Sequence, residues 1–388
     1  MTTTPRREPR AWLSVAGIVV IALNMRASLA ASSPLLPDIR DDLGLSASVA
    51  SLLTTLPLLC FGVLATAAVA AGLHLGSERV LLLAMVGVAA GSALRAVPAA
   101  LWLLLGTVVI GAAITAGNVL VPVVVKQYFP RDASVVTGLY TAALVGGAAL
   151  TSGISAPLAH DTALGWQGVL LVMGVPALLA ALVWAPQLRR RHLPPTVGAV
   201  RVLRDKITWA LAAFMGMQSL MFFATLTWLP TLLHDAGVSV AKAGIALAVF
   251  NLVGVGSSLV VPSLVSRRPS QVPAVLALCV TWAVAYAGLY VAPSLYLVWS
   301  VVSGVAQGAG ISLALTLIVL RARTPEVARS LSGTVQGIGY LMAATGPLVV
   351  GALRDVTGGW TAPFVALGLA VAVMAATSPW SAGARQVG

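Results

Sequence analysis

Apolar stretches of about twenty residues recur from Trp12 to near the end of the chain, separated by short polar segments. A helix rises about 1.5 Å per residue, so such a stretch crosses a hydrocarbon core about 30 Å thick. Hydrocarbon offers no partner to peptide N–H and C=O groups, so only helices and closed barrels can span it. The short alternating segments of a barrel are absent. Only 9% of the residues are charged, against about 25% in soluble domains, so an ordinary water-exposed surface cannot be built. The sequence therefore predicts an all-α membrane protein with spans at 12–34, 46–71, 79–97, 101–125, 134–158, 166–186, 207–232, 239–265, 272–292, 295–320, 330–353 and 360–379.

Net charge of +12 raises the possibility of a nucleic-acid partner, but the basic residues sit in short clusters between apolar runs. There they orient helices rather than line a groove. Placing the N-terminus inside puts Arg6, Arg7, Arg10, Arg79, Lys126, Arg131, the group from Arg189 to Lys206, Arg267, Arg268, Arg321, Arg323, Arg329 and Arg385 in the cytoplasm. Only Arg40, Arg95, Lys242 and Arg354 then fall outside. By the positive-inside rule both termini are cytoplasmic, which requires an even number of spans and agrees with twelve. Arg6-Arg7-Glu8-Pro9-Arg10 followed by Trp12 to Leu23 has the look of a signal peptide. The apolar stretch continues past Asn24 and Arg26, however, so it is read as an uncleaved first span.

The longest internal linker, 187–206, is basic and divides a half at 1–186 from a half at 207–388. The halves repeat. Val108-Val109-Ile110-Gly111 leads to Ala116-Gly117 in span 4, as Val301-Val302-Ser303-Gly304 leads to Ala309-Gly310 in span 10. Thr137-Gly138 precedes Trp166 as Ser332-Gly333 precedes Trp360. Two six-helix halves related by rotation place a substrate near the midplane between them.

Polar side chains inside the bilayer cost free energy and need a reason. All eleven acidic residues and all four histidines lie in loops or at span ends. Arg26 is the one strongly ionisable side chain deep in a span. It lies roughly 21 Å along its helix, and burying a guanidinium there costs about 2.5–3.5 kcal/mol or more. With no buried acid beside it, its charge must be met by backbone carbonyls, water or an anion, and a guanidinium suits bidentate recognition of a small planar anion. The structural alternative is that Arg26 bonds carbonyls at a helix break. Asn24, Asn118, Gln218, Asn251, Gln307, Gln336 and Tyr340 supply neutral hydrogen-bonding groups at similar depth, with Gln336 and Tyr340 on one helix face. Each is weighed evenly between cavity lining and interhelical adhesion. Trp228 is an interface anchor or an aromatic wall. Arg95, Arg354 and Lys126, at helix ends, are read as snorkelling. Cys60 and Cys279 lie in apolar runs, so neither a disulfide nor a metal site is expected. No phosphate-binding loop of the form G-x-x-x-x-G-K-[ST] occurs.

Two six-helix halves joined by a basic linker resemble the major facilitator superfamily. Leu23-Asn24-Met25-Arg26 with Pro34-Leu35-Leu36-Pro37-Asp38-Ile39-Arg40 is similar to the first-span signature of its cyanate and 2-nitroimidazole transporter branch. Gly117-Asn118-Val119-Leu120-Val121-Pro122, Phe129-Pro130 and Thr137-Gly138-Leu139-Tyr140-Thr141 resemble the same branch. So do Gln218-Ser219, Trp228-Leu229-Pro230, Ala243-Gly244, Leu331-Ser332-Gly333, Gln336, Gly339-Tyr340 and Gly346-Pro347. Ala27 stands where the branch usually has proline, and Gly76-Ser77-Glu78-Arg79 is a reduced form of the superfamily's charged loop. Gly146 to Pro157 lacks the Gly-Pro pattern of drug–proton antiporters.

The resemblance implies a transporter rather than an enzyme, without cofactor. It would work as a monomer in the cytoplasmic membrane, moving a small anion or compact polar solute by alternating access. Arg26, Asn24, Asn118, Tyr140, Gln218, Trp228, Asn251, Gln307, Gln336 and Tyr340 are the expected binding residues. A drug or metabolite exporter is the rival expectation, and a membrane sensor or enzyme subunit a more distant one.

Overall fold

The computed structural model describes residues 11–129, 133–189, 202–265 and 269–387. Arg6, Arg7, Arg10, Arg131, Arg190, Arg191, Arg201, Arg267 and Arg268 lie outside them, as do Pro130 and most of the 187–206 linker. The side chains of Lys126, Arg189 and Arg329 are likewise outside. Among the described residues every named element is helical. The first half comprises α1 (Ala11–Ala30), α2 (Leu36–Leu43), α3 (Ala47–Val63), α4 (Ala65–Leu75), α5 (Ser77–Arg95), α6 (Ala100–Tyr128), α7 (Ala133–His160), α8 (Gly165–Val172) and α9 (Gly174–Trp184). The second comprises α10 (Lys206–Asp235), α11 (Val240–Val265), α12 (Val272–Val291), α13 (Tyr296–Arg321), α14 (Pro325–Thr357) and α15 (Thr361–Ser381). Eleven spans here are long and apolar enough to cross a membrane.

Three departures from the expected spans have local causes. The second span, expected at 46–71, runs on to Leu75 but is divided at Leu64 into α3 and α4, beyond a proline at Pro57. The sixth is divided at Met173, where Pro176 has no N–H to give the carbonyl four residues earlier. The first ends at Ala30, not 34. Pro34 likewise has no N–H for the Ala30 carbonyl, which accepts from Ser33 N at 3.3 Å instead. The chain then turns into the short α2, which carries Asp38, Asp41 and Asp42. Arg26 consequently stands within the last turn and a half of its helix.

The two halves repeat in space. In the first, α1 packs on α7 and α9, and α6 packs on α3 and α5. In the second, α10 packs on α14 and α15, and α13 packs on α11 and α12. The indole N–H of Trp166 donates to Asp42 at 3.0 Å, and that of Trp360 donates to Asp235 at 3.0 Å. Glycine permits the closest approach at matching places. A side chain on Gly147 would meet the Leu23 backbone, and one on Gly346 the Leu220 backbone. The second half adds Arg354, which is not simply snorkelling. It pairs with Asp235 at 2.9 Å and lies over the Trp360 ring at 5.5 Å.

The halves meet along α3 with α14 and along α7 with α11. One end of the bundle, where α1 and α5 begin and α13 ends, carries Arg79 and Arg321; the far end carries α2 and the close of α14. At the far end the halves are bonded. Asp355 of α14 accepts from Ala47 N (2.9 Å), Ser48 N (2.7 Å) and Ser48 Oγ (2.6 Å), so one half caps a helix of the other with a negative charge. Thr227 Oγ1 donates to Thr54 Oγ1 at 2.7 Å.

Towards the basic end the halves part. Past Leu64, α4 packs on α5 and α6 while α14 stays packed on α10 of its own half. A Cβ built on Gly146, Gly333 or Gly337 would meet nothing within 4 Å. The bundle is closed at the far end and open at the basic end.

Asp355→Asn removes the charge from the cap. Placed beside Thr54→Cys, it is expected to raise severalfold the labelling of that cysteine by an impermeant maleimide from the far side. An unchanged rate would mean the cap does not hold that end shut.

Candidate functional site

Between the halves the charge and the aromatic rings come together. Arg26 of α1 reaches across to α10, its Cζ lying 5.1 Å from the centroid of Phe222 and 5.8 Å from that of Phe223. Both distances fall within cation–π range. Phe222 and Phe223 are themselves edge-on at 4.7 Å, and Phe222 stacks on Phe250 of α11 at 5.9 Å. Tyr140 of α7 and Tyr340 of α14 both interact electrostatically with Arg26, and Tyr140 also with Tyr340. Phe61 of α3 stands edge-on to Tyr340 at 5.8 Å. Gln336, one turn before Tyr340, is half-buried and donates to Ser332 Oγ at 2.7 Å.

Arg26 is half-buried. Among the described residues no carboxylate lies within 4 Å of it and no oxygen accepts a hydrogen bond from it. A ring face offsets part of a cation's charge but leaves the guanidinium N–H donors unmet. The arrangement can therefore take a small anion or a negatively polarised group edge-on, with aromatic faces to hold a flat solute.

The other expected residues separate by what their polar atoms already do. Asn24 is buried, and its amide donates to Val20 O (2.8 Å) and Pro176 O (3.2 Å), tying α1 to α9. Asn251 is buried and donates along its own helix to Leu247 O at 2.9 Å. Gln307 is buried against Gly254 between α13 and α11. Trp228 is neither an interface anchor nor a wall of this site. Its indole N–H donates to Pro347 O at 3.0 Å and its ring meets Trp360 at 6.2 Å. There it helps enclose a small apolar pocket within the second half, with Tyr286 and Phe364. Gln218 donates to Ser219 Oγ at 2.6 Å while its carbonyl faces Gly310. Asn118 is half-buried beside Gly117, where Met25 packs, and has no hydrogen-bond partner among the described residues.

Reading the sequence missed Phe61, Phe222, Phe223 and Phe250. The signal was available: the chain holds only seven phenylalanines, and Phe222-Phe223 is their one doublet, mid-span opposite the depth of Arg26. Arg95 was also misplaced, since its side chain is buried rather than snorkelling.

A helical bundle of two repeated halves with membrane-spanning helices has the architecture of a membrane transporter. Residues 18–339 match the family described as Major Facilitator Superfamily. Over 370 residues the chain is 38% identical to an uncharacterized transporter, YycB, of Bacillus subtilis, covering 94% of this chain and 92% of that one. It is 34% identical to the 2-nitroimidazole transporter of Escherichia coli (93% of each chain). It is 30% identical to the cyanate transport protein CynX of the same organism (88% of this chain, 90% of that one). The chain belongs to the Major Facilitator Superfamily, in the branch that holds these transporters.

Asn24→Ala and Trp228→Phe each remove a buried hydrogen bond that joins two spans. Each is expected to cost about 0.5–1.5 kcal/mol of stability, read as a lower Tm in detergent, with KM for transport unchanged. A raised KM at unaltered Tm would place that side chain in the site instead.

Proposed function

We propose that the chain carries a small anion or a compact, flat polar solute across the cytoplasmic membrane by alternating access, with Arg26 as the group that recognises its negative edge. One observation carries the reading: a guanidinium at the junction of the halves, with no carboxylate and no hydrogen-bond acceptor among the described residues. An arginine that serves only to hold helices together bonds at least one protein acceptor, as Arg95 does with Ser28 O, whereas Arg26 bonds none among the described residues. Phe222, Phe223, Phe250, Phe61, Tyr140 and Tyr340 add flat faces against which a planar solute can stack. A nitro group offers two negatively polarised oxygens to a guanidinium fork and cyanate is a small anion, so the solutes named for the two relatives have the right chemistry.

The excess of Lys and Arg at the end where α1 begins orients that end to the cytoplasm, with both termini inside. The conformation described above is then inward-facing. Solute would reach Arg26 from the cytoplasm, and opening the far end would require releasing Asp355 from α3 and Thr227 from Thr54. The aromatic lining also favours a second reading, export of a drug or metabolite. A resistance panel on overexpressing cells separates the two, because a narrow anion carrier protects against almost nothing.

In proteoliposomes the wild type is expected to take up labelled cyanate or 2-nitroimidazole. Arg26→Ala should fall to background, and Arg26→Lys, which loses the planar fork, to below about a tenth of the wild-type rate. Wild-type rates in Arg26→Ala would overturn the assignment. The orientation is checked separately. Alkaline phosphatase fused after Asp161 should be active, and green fluorescent protein at the C-terminus should fluoresce; the reverse pattern would invert the membrane placement.

A further inference from the structure

Arg95, the last residue of α5, is only 2% exposed, the most deeply buried cation among the described residues. Its stem passes between α5 and α6 where Gly106 leaves room, since a Cβ there would stand 2.8 Å from Arg95 Cγ. Nη1 donates to Ser28 O at 2.9 Å. Nε and Nη2 have no partner, and no carboxylate lies within 4 Å among the described residues.

The acceptor is informative. Ser28 sits two residues beyond Arg26, in the last turn of α1, where carbonyls run out of helical donors. Each is met differently. Ala27 O accepts from Ala31 N (3.0 Å) and Thr151 Oγ1 (3.2 Å), Leu29 O from Ser32 Oγ (3.0 Å), and Ala30 O from Ser33 N (3.3 Å). Ser28 O alone is met by a cation. A positive charge at a helix C-terminus is the favourable sense of the helix dipole. A buried guanidinium with two unshared donors is nonetheless expensive, and a neutral donor would cap the carbonyl without that penalty.

We propose that Arg95 is a positioning residue for Arg26. It fixes the terminal turn of α1, from which Arg26 projects. Because no acid neutralises it, it also adds a second positive charge in a low-dielectric setting, so that the first half presents two uncompensated cations to an anion arriving between the halves. The proposal rests on the reading of Arg26 given above.

The test uses Arg95→Lys, Arg95→Met and Arg95→Gln in the full-length protein, with thermal unfolding in detergent to confirm that each folds. With cyanate as the transported probe, KM should rise at least tenfold in the Met and Gln variants with little change in maximal rate, and return to within about threefold of wild type in Arg95→Lys. A purely structural role would lower Tm or maximal rate and leave KM alone, which would overturn the proposal; so would a Lys variant as impaired as Met. A second arm needs no substrate. Phenylglyoxal modification of Arg26, followed by mass spectrometry of the purified protein, should change in rate at least threefold in Arg95→Met and be restored by Arg95→Lys. An unchanged Arg26 rate refutes the positioning role. Absence of cyanate uptake by the wild type would count against the substrate reading alone, and the labelling arm then decides.

Discussion

Hydrocarbon supplies no hydrogen bonds, and this requirement organises the bundle more than any packing preference. Helices satisfy their own interior peptide groups, but helix ends and proline sites do not. At the end of α1 the gap at Ser28 O is answered by Arg95. Elsewhere buried side chains add a bond to carbonyls inside a neighbouring helix, Asn24 to Pro176 O in α9 and Trp228 to Pro347 O in α14. Each of these bonds joins two spans, so placing a buried donor and holding the bundle together are one act.

The same requirement separates residues that build the scaffold from those free to meet a solute. A buried amide whose two hydrogens are committed to carbonyls has no donor left for a solute, as at Asn24. Arg26 is the contrary case, a charged group held against ring faces that cannot accept its N–H bonds. Its environment is shared between halves, with Tyr140 from one and Phe222, Phe223 and Tyr340 from the other. In the proposed transport cycle, a site assembled across that junction would couple occupancy to how the halves sit.

Closure is asymmetric for reasons visible in single residues. At the far end Asp355 and Thr227 bond across to α3. Towards the basic end α3 gives way to α4 at Leu64, and the second span leans onto α5 and α6 instead of following α14. Gly333 and Gly337 are left facing open space. The contacts that seal the far end combine close helix packing along α3 with α14 and α7 with α11 with a few hydrogen bonds between named groups.

Much of this was legible in the sequence. Eleven of the twelve expected spans could be recognised because their length is imposed by bilayer thickness, the second being divided into α3 and α4. The repeat of Trp166 and Trp360 returned as the same bond to Asp42 and Asp235. Arg26 stood out because a deep charge is costly wherever it points. Which neutral side chains join it could not be read. Except for α14, the long spans are apolar on nearly every side, since lipid and bundle interior are equally oily, so no amphipathic stripe marks the inward face. Asn24, Asn251, Gln307 and Trp228 carried the same signal as Tyr140 and Tyr340. Only the packing of one half against the other decided which faced the junction. Arg95 shows the limit most sharply: at a span end sequence favours a side chain rising to water, while the crossing of α5 with α1 turned it inward to a carbonyl. Chain chemistry set what must be buried and how many times the membrane is crossed; contacts distant in sequence set what each buried polar atom is for.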